Sequence, residues 1–401
     1  MPRMLVWIGF CSGLFLVLGT SFSLFRTLVV PRDLNSRLGR AVERGVRRMN
    51  LAVGHRLAQA LGGGDLRRTY EIKDRVLSFT GPGALLTLLA VWQISLVTGY
   101  ALLLWPFVQG GFPEALRESG SSFFTLGFDN TGSGLPTVID FFAAAAGLIT
   151  VALLIAYLPT LYSAFNRRET LVTTLESRAG APAWGPEILA RHHMVGLTDA
   201  LPAFYADWER WAADVGEGHT NYPILLRFRS PNPYRSWIVG LLAVLDSAAI
   251  LLAFNPSSPS SQARLCLRMG FTALRDIGRA LRLEVNEDPR PDDPIEMTYE
   301  EFLHGVQRLE VVNFPMERSP EEAWPHFRGW RVNYESLAYA VADRVDATPG
   351  PWSGVRSYFP HQIEPRRPVD RRPDDPDGST RRTGVPTGGP QRVGTPDTTS
   401  P

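Results

Sequence analysis

Nine consecutive residues, Ser121-Ser122-Phe123-Phe124-Thr125-Leu126-Gly127-Phe128-Asp129, hold the most chemistry in this chain. They lie between two long apolar segments, near 76–107 and 135–165. In hydrocarbon, backbone outside a helix persists only where protein buries it or where it lines a water-filled path. A short polar, glycine-containing turn in this place is therefore expected to re-enter the bilayer between two spanning helices. Backbone in such a turn would then line a water-filled path across the hydrocarbon.

The elements that position this loop are read from apolar length and charge. Residues 4–25 form a first apolar segment, long enough to cross a ~30 Å hydrocarbon core. Only Arg3 precedes it, while Arg26, Arg32, Arg37, Arg40, Arg44, Arg47 and Arg48 crowd its far side. That bias predicts an anchor with its N-terminus outside rather than a cleaved signal. The second span, 77–107, enters at Gly81-Pro82-Gly83 and carries Trp92, Tyr100 and Trp105 as aromatic anchors. Segment 109–136 is acidic, as the outward side should be. The third span, 137–165, stops at Asn166-Arg167-Arg168. Segment 237–254 is also apolar, but Asp246 near its centre would cost ~2.5–3.5 kcal/mol on insertion. Arginines flank both of its ends, so it is expected as a buried core helix.

Between the first two spans, Leu34, Leu38, Val42, Val46, Met49, Val53, Leu57 and Leu61 recur in steps of three and four, which marks a helical stripe. This basic helix either lies on the inner leaflet or docks on the cytoplasmic domain. Gly62-Gly63-Gly64 reads as a break between helices, since it lacks the Lys-Ser/Thr of a phosphate loop. Residues 169–348 read as a mainly helical cytoplasmic domain, with capping-box spacing at Thr298–Glu301 and Ser319–Glu322. Residues 222–228 have the character of a short strand. The adjacent His192 and His193 point about 100° apart on a helix and have no third ligand nearby, so a metal site is not expected. Residues 349–401, rich in Pro, Arg, Asp and Gly, are expected to form a disordered tail.

Thr125-Leu126-Gly127-Phe128 resembles the T-V-G-Y-G filter of potassium channels, and residues 77–168 resemble the single-pore-loop module of bacterial two-transmembrane channels. The resemblance implies a pore helix over 113–124, a filter of Thr125, Leu126, Gly127, Phe128 and Asp129, and an outer mouth at Asn130. It further implies a gating hinge at Gly147 or a kink at Pro159, and cavity-facing Thr150 and Leu154. Gly147, which follows four alanines, reads equally as a site of close helix packing. The chain departs from the motif at Asp129, which replaces the second filter glycine. Side chains disfavour left-handed backbone angles, and four Asp129 carboxylates would make an anionic ring.

The expectation is thus an all-α membrane protein: three transmembrane helices, a re-entrant pore loop between the second and third, a helical cytoplasmic domain and a disordered tail. Its domains divide at 1–30, 31–76, 77–168, 169–348 and 349–401. The implied function is a homotetrameric pore, since one loop cannot surround an axis. It would sit in a bacterial plasma membrane, take no cofactor and pass a monovalent cation such as K+. The alternative is a non-conducting anchor whose cytoplasmic domain binds a partner. Net charge is +1, so nothing in the balance points to nucleic acid, and no catalytic constellation points to an enzyme.

Overall fold

Helices α1 (Arg3–Leu28) and α4 (Thr80–Leu104) run antiparallel and touch through small residues. A Cβ at Gly13 would lie 2.7 Å from the Gly99 carbonyl oxygen, so the two backbones are in contact. Further along the pair, Trp92 Nε1 donates to Ser23 Oγ at 3.2 Å. Trp92 and Tyr100 are accordingly buried rather than set out as interface anchors, and the Tyr100 hydroxyl reaches the Phe142 carbonyl at 3.1 Å. Of the three aromatics, only Trp105 keeps an edge in the open, against Phe112.

The computed structural model describes residues 3–29, 37–129 and 134–366, and among them the chain is all-helical. Among the described residues, four helices are long and apolar enough to cross a membrane: α1, the second apolar run ending in α4, α6 (Leu135–Ala179) and α9 (Trp237–Phe254). The last stands apart. Every residue of α9 except Leu251 is buried, and α7, α8, α10, α12 and α13 all pack on it. It is the core helix of a bundle, as Asp246 suggested.

The basic linker is two helices, broken at the glycine run as its sequence predicts. α2 (Arg37–Leu61) and α3 (Leu66–Leu77) form a hairpin, turned by Gly63 and Gly64 at φ 61° and 80°. α2 docks through Val46, Asn50, Gly54 and Ala58, and Asn50 Nδ2 donates to Thr80 Oγ1 at 3.0 Å. Met49, Val53, Leu57 and Leu61 stay exposed along its flank.

α6 continues as a helix past the expected end of the third span. It runs unbroken for 45 residues, through Pro159 and past Arg168 into the bundle. Arg168 is 1% exposed. Its guanidinium binds Glu169 Oε1 at 2.9 Å, the Leu225 carbonyl at 3.0 Å and the Phe228 carbonyl at 2.7 Å. The supposed terminating charge is thus a tie from α6 to the segment after α8. That segment is a 3-10 turn, Pro223–Arg227, and not the strand expected over 222–228.

The bundle comprises α7 (Gly185–Met194), α8 (Leu201–Asn221), α9, α10 (Ser261–Ala280), α11 (Tyr299–Val311), α12 (Pro320–Arg331) and α13 (Glu335–Arg344). Capping boxes open α11 at Thr298 and α12 at Ser319, as their spacing predicts. At the centre, the fully buried Arg331 bridges Asp246 and Glu335 (Nε–Oε1 2.8 Å), and the Tyr334 hydroxyl donates to Asp246 at 2.8 Å.

The tail is ordered further than its composition suggests. Trp352, Phe359 and Ile363 are buried, Tyr70 stacks edge-on to Phe359 at 4.8 Å, and Lys73 Nζ donates to the Tyr358 carbonyl at 2.9 Å. The aromatic residues of 352–363 supply the apolar surface that the later tail lacks. Ala181 and Arg366 close this segment as an antiparallel bridge. The remainder of the expected disordered tail, 367–401, lies outside the described residues.

Candidate functional site

α5 (Phe112–Phe123) is the helix expected ahead of the loop, displaced by one residue. Gly111 at φ 78° turns the chain into it, and Pro113 sits in its first turn, where a missing N–H costs nothing. Its inward face is polar: Glu118, Ser119 and Ser121 are all buried. Each has a partner. Ser119 Oγ donates to the Val97 carbonyl of α4 at 2.8 Å, and Ser122 Oγ to Asp140 Oδ1 of α6 at 2.6 Å. Glu118 and Asp140 face each other across the α5–α6 seam.

Two contacts fix how far α5 reaches. The Phe123 carbonyl oxygen occupies the notch at Gly147, where a Cβ would come within 1.9 Å of it. Gly147 lies twelve residues into α6, or ~18 Å along its axis. Val97 lies seven residues before the end of α4, ~10 Å, and Ser119 is one further turn back from Phe123. Both marks place the C-terminal end of α5 deep between the apolar helices rather than across their tips.

The chain then reverses. Thr125 N–H bonds the Ser122 carbonyl at 3.0 Å and Leu126 N–H the Ser121 carbonyl at 2.8 Å, the double bond of a Schellman cap. Thr125 is the left-handed residue such a cap requires, at φ 55°, and Gly127 follows at φ 70°. Asp129 does not adopt a positive φ, so the backbone strain anticipated at Asp129 falls on Thr125 instead. Ser121 Oγ accepts from the amides of Phe128 (3.1 Å) and Asp129 (3.2 Å), which ties the returning strand to the helix it left. Asp129 faces Arg117 Nε at 3.4 Å, and the guanidinium of Arg117 lies over the Phe128 ring. The carboxylate expected to form an anionic ring therefore has a cation from its own chain beside it.

Of the filter-like residues, Thr125, Leu126, Gly127 and Phe128 are exposed and Asp129 is half-buried. Asn130 lies outside the described residues. Gly147 serves the seating of α5, and α6 stays helical through both Gly147 and Pro159. Thr150, expected to face a cavity, is instead 2% exposed within the packed chain and donates to the Ala146 carbonyl. Leu154 is half-buried. The open face of α6 instead carries Phe141, Phe142, Leu148, Ile149 and Ile155. His192 and His193 turn to different partners, the Ile188 carbonyl and the Phe314 ring.

Asp140, Glu118 and Ser121 are not picked out by motif spacing. The signal available was an acidic residue inside an apolar span, which needs a partner wherever it occurs. No protein-family model matches the chain, and no curated protein or solved structure is significantly similar to it.

Proposed function

We propose that the chain is the pore-forming subunit of a homotetrameric cation channel, with 125–129 of four subunits around a common axis. The observation that carries this reading is the depth of α5, whose carbonyl end is seated against α6 at Gly147, twelve residues in from the start of that helix. A helix C-terminus bears about half a negative charge, and four of them converging in hydrocarbon would favour a cation there. Thr125 and Gly127 alternate left-handed backbone with their neighbours, as carbonyl-lined turns do. Phe124, Leu126 and Phe128 are exposed beside the apolar face of α6, surface that needs lipid or another subunit to cover it.

In this reading α1, α4 and α6 span the membrane, α5 re-enters from outside, and the bundle is cytoplasmic. The arginines of α2 then fall on the inner side. Because Asp129 is offset by Arg117, the reading extends to monovalent cations in general and names K+ only through the motif.

A second reading has one observation in its favour. Thr125 and Leu126 are engaged in capping α5, so the loop also works as a closed plug. The chain would then be a membrane anchor whose bundle binds a partner. Cation efflux from liposomes holding the purified protein separates the two readings.

A further inference from the structure

At the opposite end of the apolar helices from α5, a cavity of about 170 Å3 opens where α1, α2 and α4 meet the bundle. Arg26, Arg40, Arg227, Arg282 and Arg344 line it, with Glu43 as the one carboxylate. Glu43 is already engaged by Arg227, Nε to Oε1 at 2.6 Å. The Nε of Arg26 is buried with no hydrogen-bond partner. Arg282 and Arg344 are exposed at the rim.

Helix ends account for part of this charge. α1, α8, α10 and α13 all finish at the cavity, each contributing about half a negative charge, while α2 starts there with the opposite sign. Together with Glu43 these offset roughly half of the five arginines, and two to three positive charges remain. Below the arginines the wall turns apolar, through Ala84, Leu85 and Leu88 of α4.

We infer that this cavity binds a phosphate anion, presented by the headgroup of an anionic phospholipid. Planar guanidinium groups match phosphate oxygens in pairs, and basic pockets between spans on the cytoplasmic side suit such headgroups. The apolar wall continues onto the spanning helices, so a glycerol backbone would leave the site toward hydrocarbon. The inference needs α1, α4 and α6 to be spans but not that the loop conducts, and its test reads binding without flux.

The test measures binding of the full-length detergent-solubilised protein to phosphatidylglycerol and phosphatidylcholine by native mass spectrometry. It compares the wild type with Arg26→Gln/Arg282→Gln and with Arg264→Gln/Arg268→Gln on the exposed face of α10. Each arginine is worth about a factor of five near an anionic surface. The cavity pair should therefore bind phosphatidylglycerol roughly 25-fold more weakly, while the α10 pair stays within two-fold and phosphatidylcholine is unaffected. If the double variant loses its thermal transition, Arg282→Gln alone reads the same loss at about five-fold. Inorganic phosphate is titrated separately. Arginine-dependent binding of free phosphate with no preference for phosphatidylglycerol would keep the phosphate site and overturn the lipid as its source. Wild-type lipid binding by the cavity pair, or equal loss in the α10 pair, would overturn the site.

Discussion

The Phe123 carbonyl and Gly147 are in direct backbone contact, and no side chain fits between them: a Cβ at Gly147 would stand 1.9 Å from that oxygen. This seat, rather than a bend in α6, accounts for glycine at position 147. Gly147→Ala should therefore overpack the seam and lower stability by about 1–3 kcal/mol. Gly45→Ala, on the open flank of α2 with nothing within 4 Å, should gain up to about 1 kcal/mol from helix propensity alone. Thermal unfolding in detergent reads both. A Gly147→Ala protein as stable as the wild type would return the position to a hinge role.

Ser121 is the pin of the loop. Its hydroxyl accepts from the Phe128 and Asp129 amides and is fully buried. Ser121→Ala leaves two amides without an acceptor, a local cost of about 1–3 kcal/mol. Hydrogen exchange at 128 and 129 should speed up by about five-fold or more on that arithmetic, while exchange in α9 stays unchanged. Unaltered exchange at these two amides would mean the serine does not hold the loop.

In the bundle, Arg331 is fully buried between Asp246 and Glu335. Removing the cation strands two carboxylates in the core, so Arg331→Met should cost about 3–5 kcal/mol. Chemical denaturation followed by tryptophan fluorescence measures this. A loss below about 1 kcal/mol would show that water or protons relieve the carboxylates.

His219 gives a pH dependence with a definite sign. Burial, and then the Arg168 guanidinium, lower its folded-state pKa to about 3. Nε2 faces Arg168 Nη1 at 3.1 Å and Nδ1 faces the Val215 carbonyl at 2.8 Å, an arrangement for the neutral ring. The unfolded chain takes up a proton near pH 6.5 and the folded one does not. Stability is therefore full above pH 6.5 and falls as the pH drops towards 3. Between pH 6.5 and 5.0 the loss should be about 2 kcal/mol. Melting temperatures at the two values, in wild type and His219→Gln, check this: the variant should lose most of the slope, and an equal slope would assign it elsewhere.

The elements were legible in the sequence where one physical signal dominated. Apolar length marked α1, α4, α6 and α9, and Asp246 separated the last from the others because a charge in lipid is costly. Glycines marked the α2–α3 turn, and the capping boxes marked the starts of α11 and α12. What stayed hidden was tertiary. Arg168 read as an interface charge because its acceptors, the Leu225 and Phe228 carbonyls, lie nearly sixty residues away. Residues 352–363 read as disordered because local composition does not reveal that Tyr70 and Lys73 wait for Phe359 and Tyr358. At the loop, residue types located Thr125–Asp129, but the partners of Ser121, Glu118 and Asp129 follow from how α5 is seated.

The central proposal is tested most directly by cation efflux from liposomes holding wild type or Gly127→Pro. Gly127 has φ 70°, which proline cannot adopt, and open space around it, so the change strikes the loop backbone and little else. The account predicts cation efflux from wild-type liposomes that is abolished in the variant, with the tetramer size unchanged. Equal efflux from the two, or a purified wild type that is monomeric and passes no cation, would contradict it.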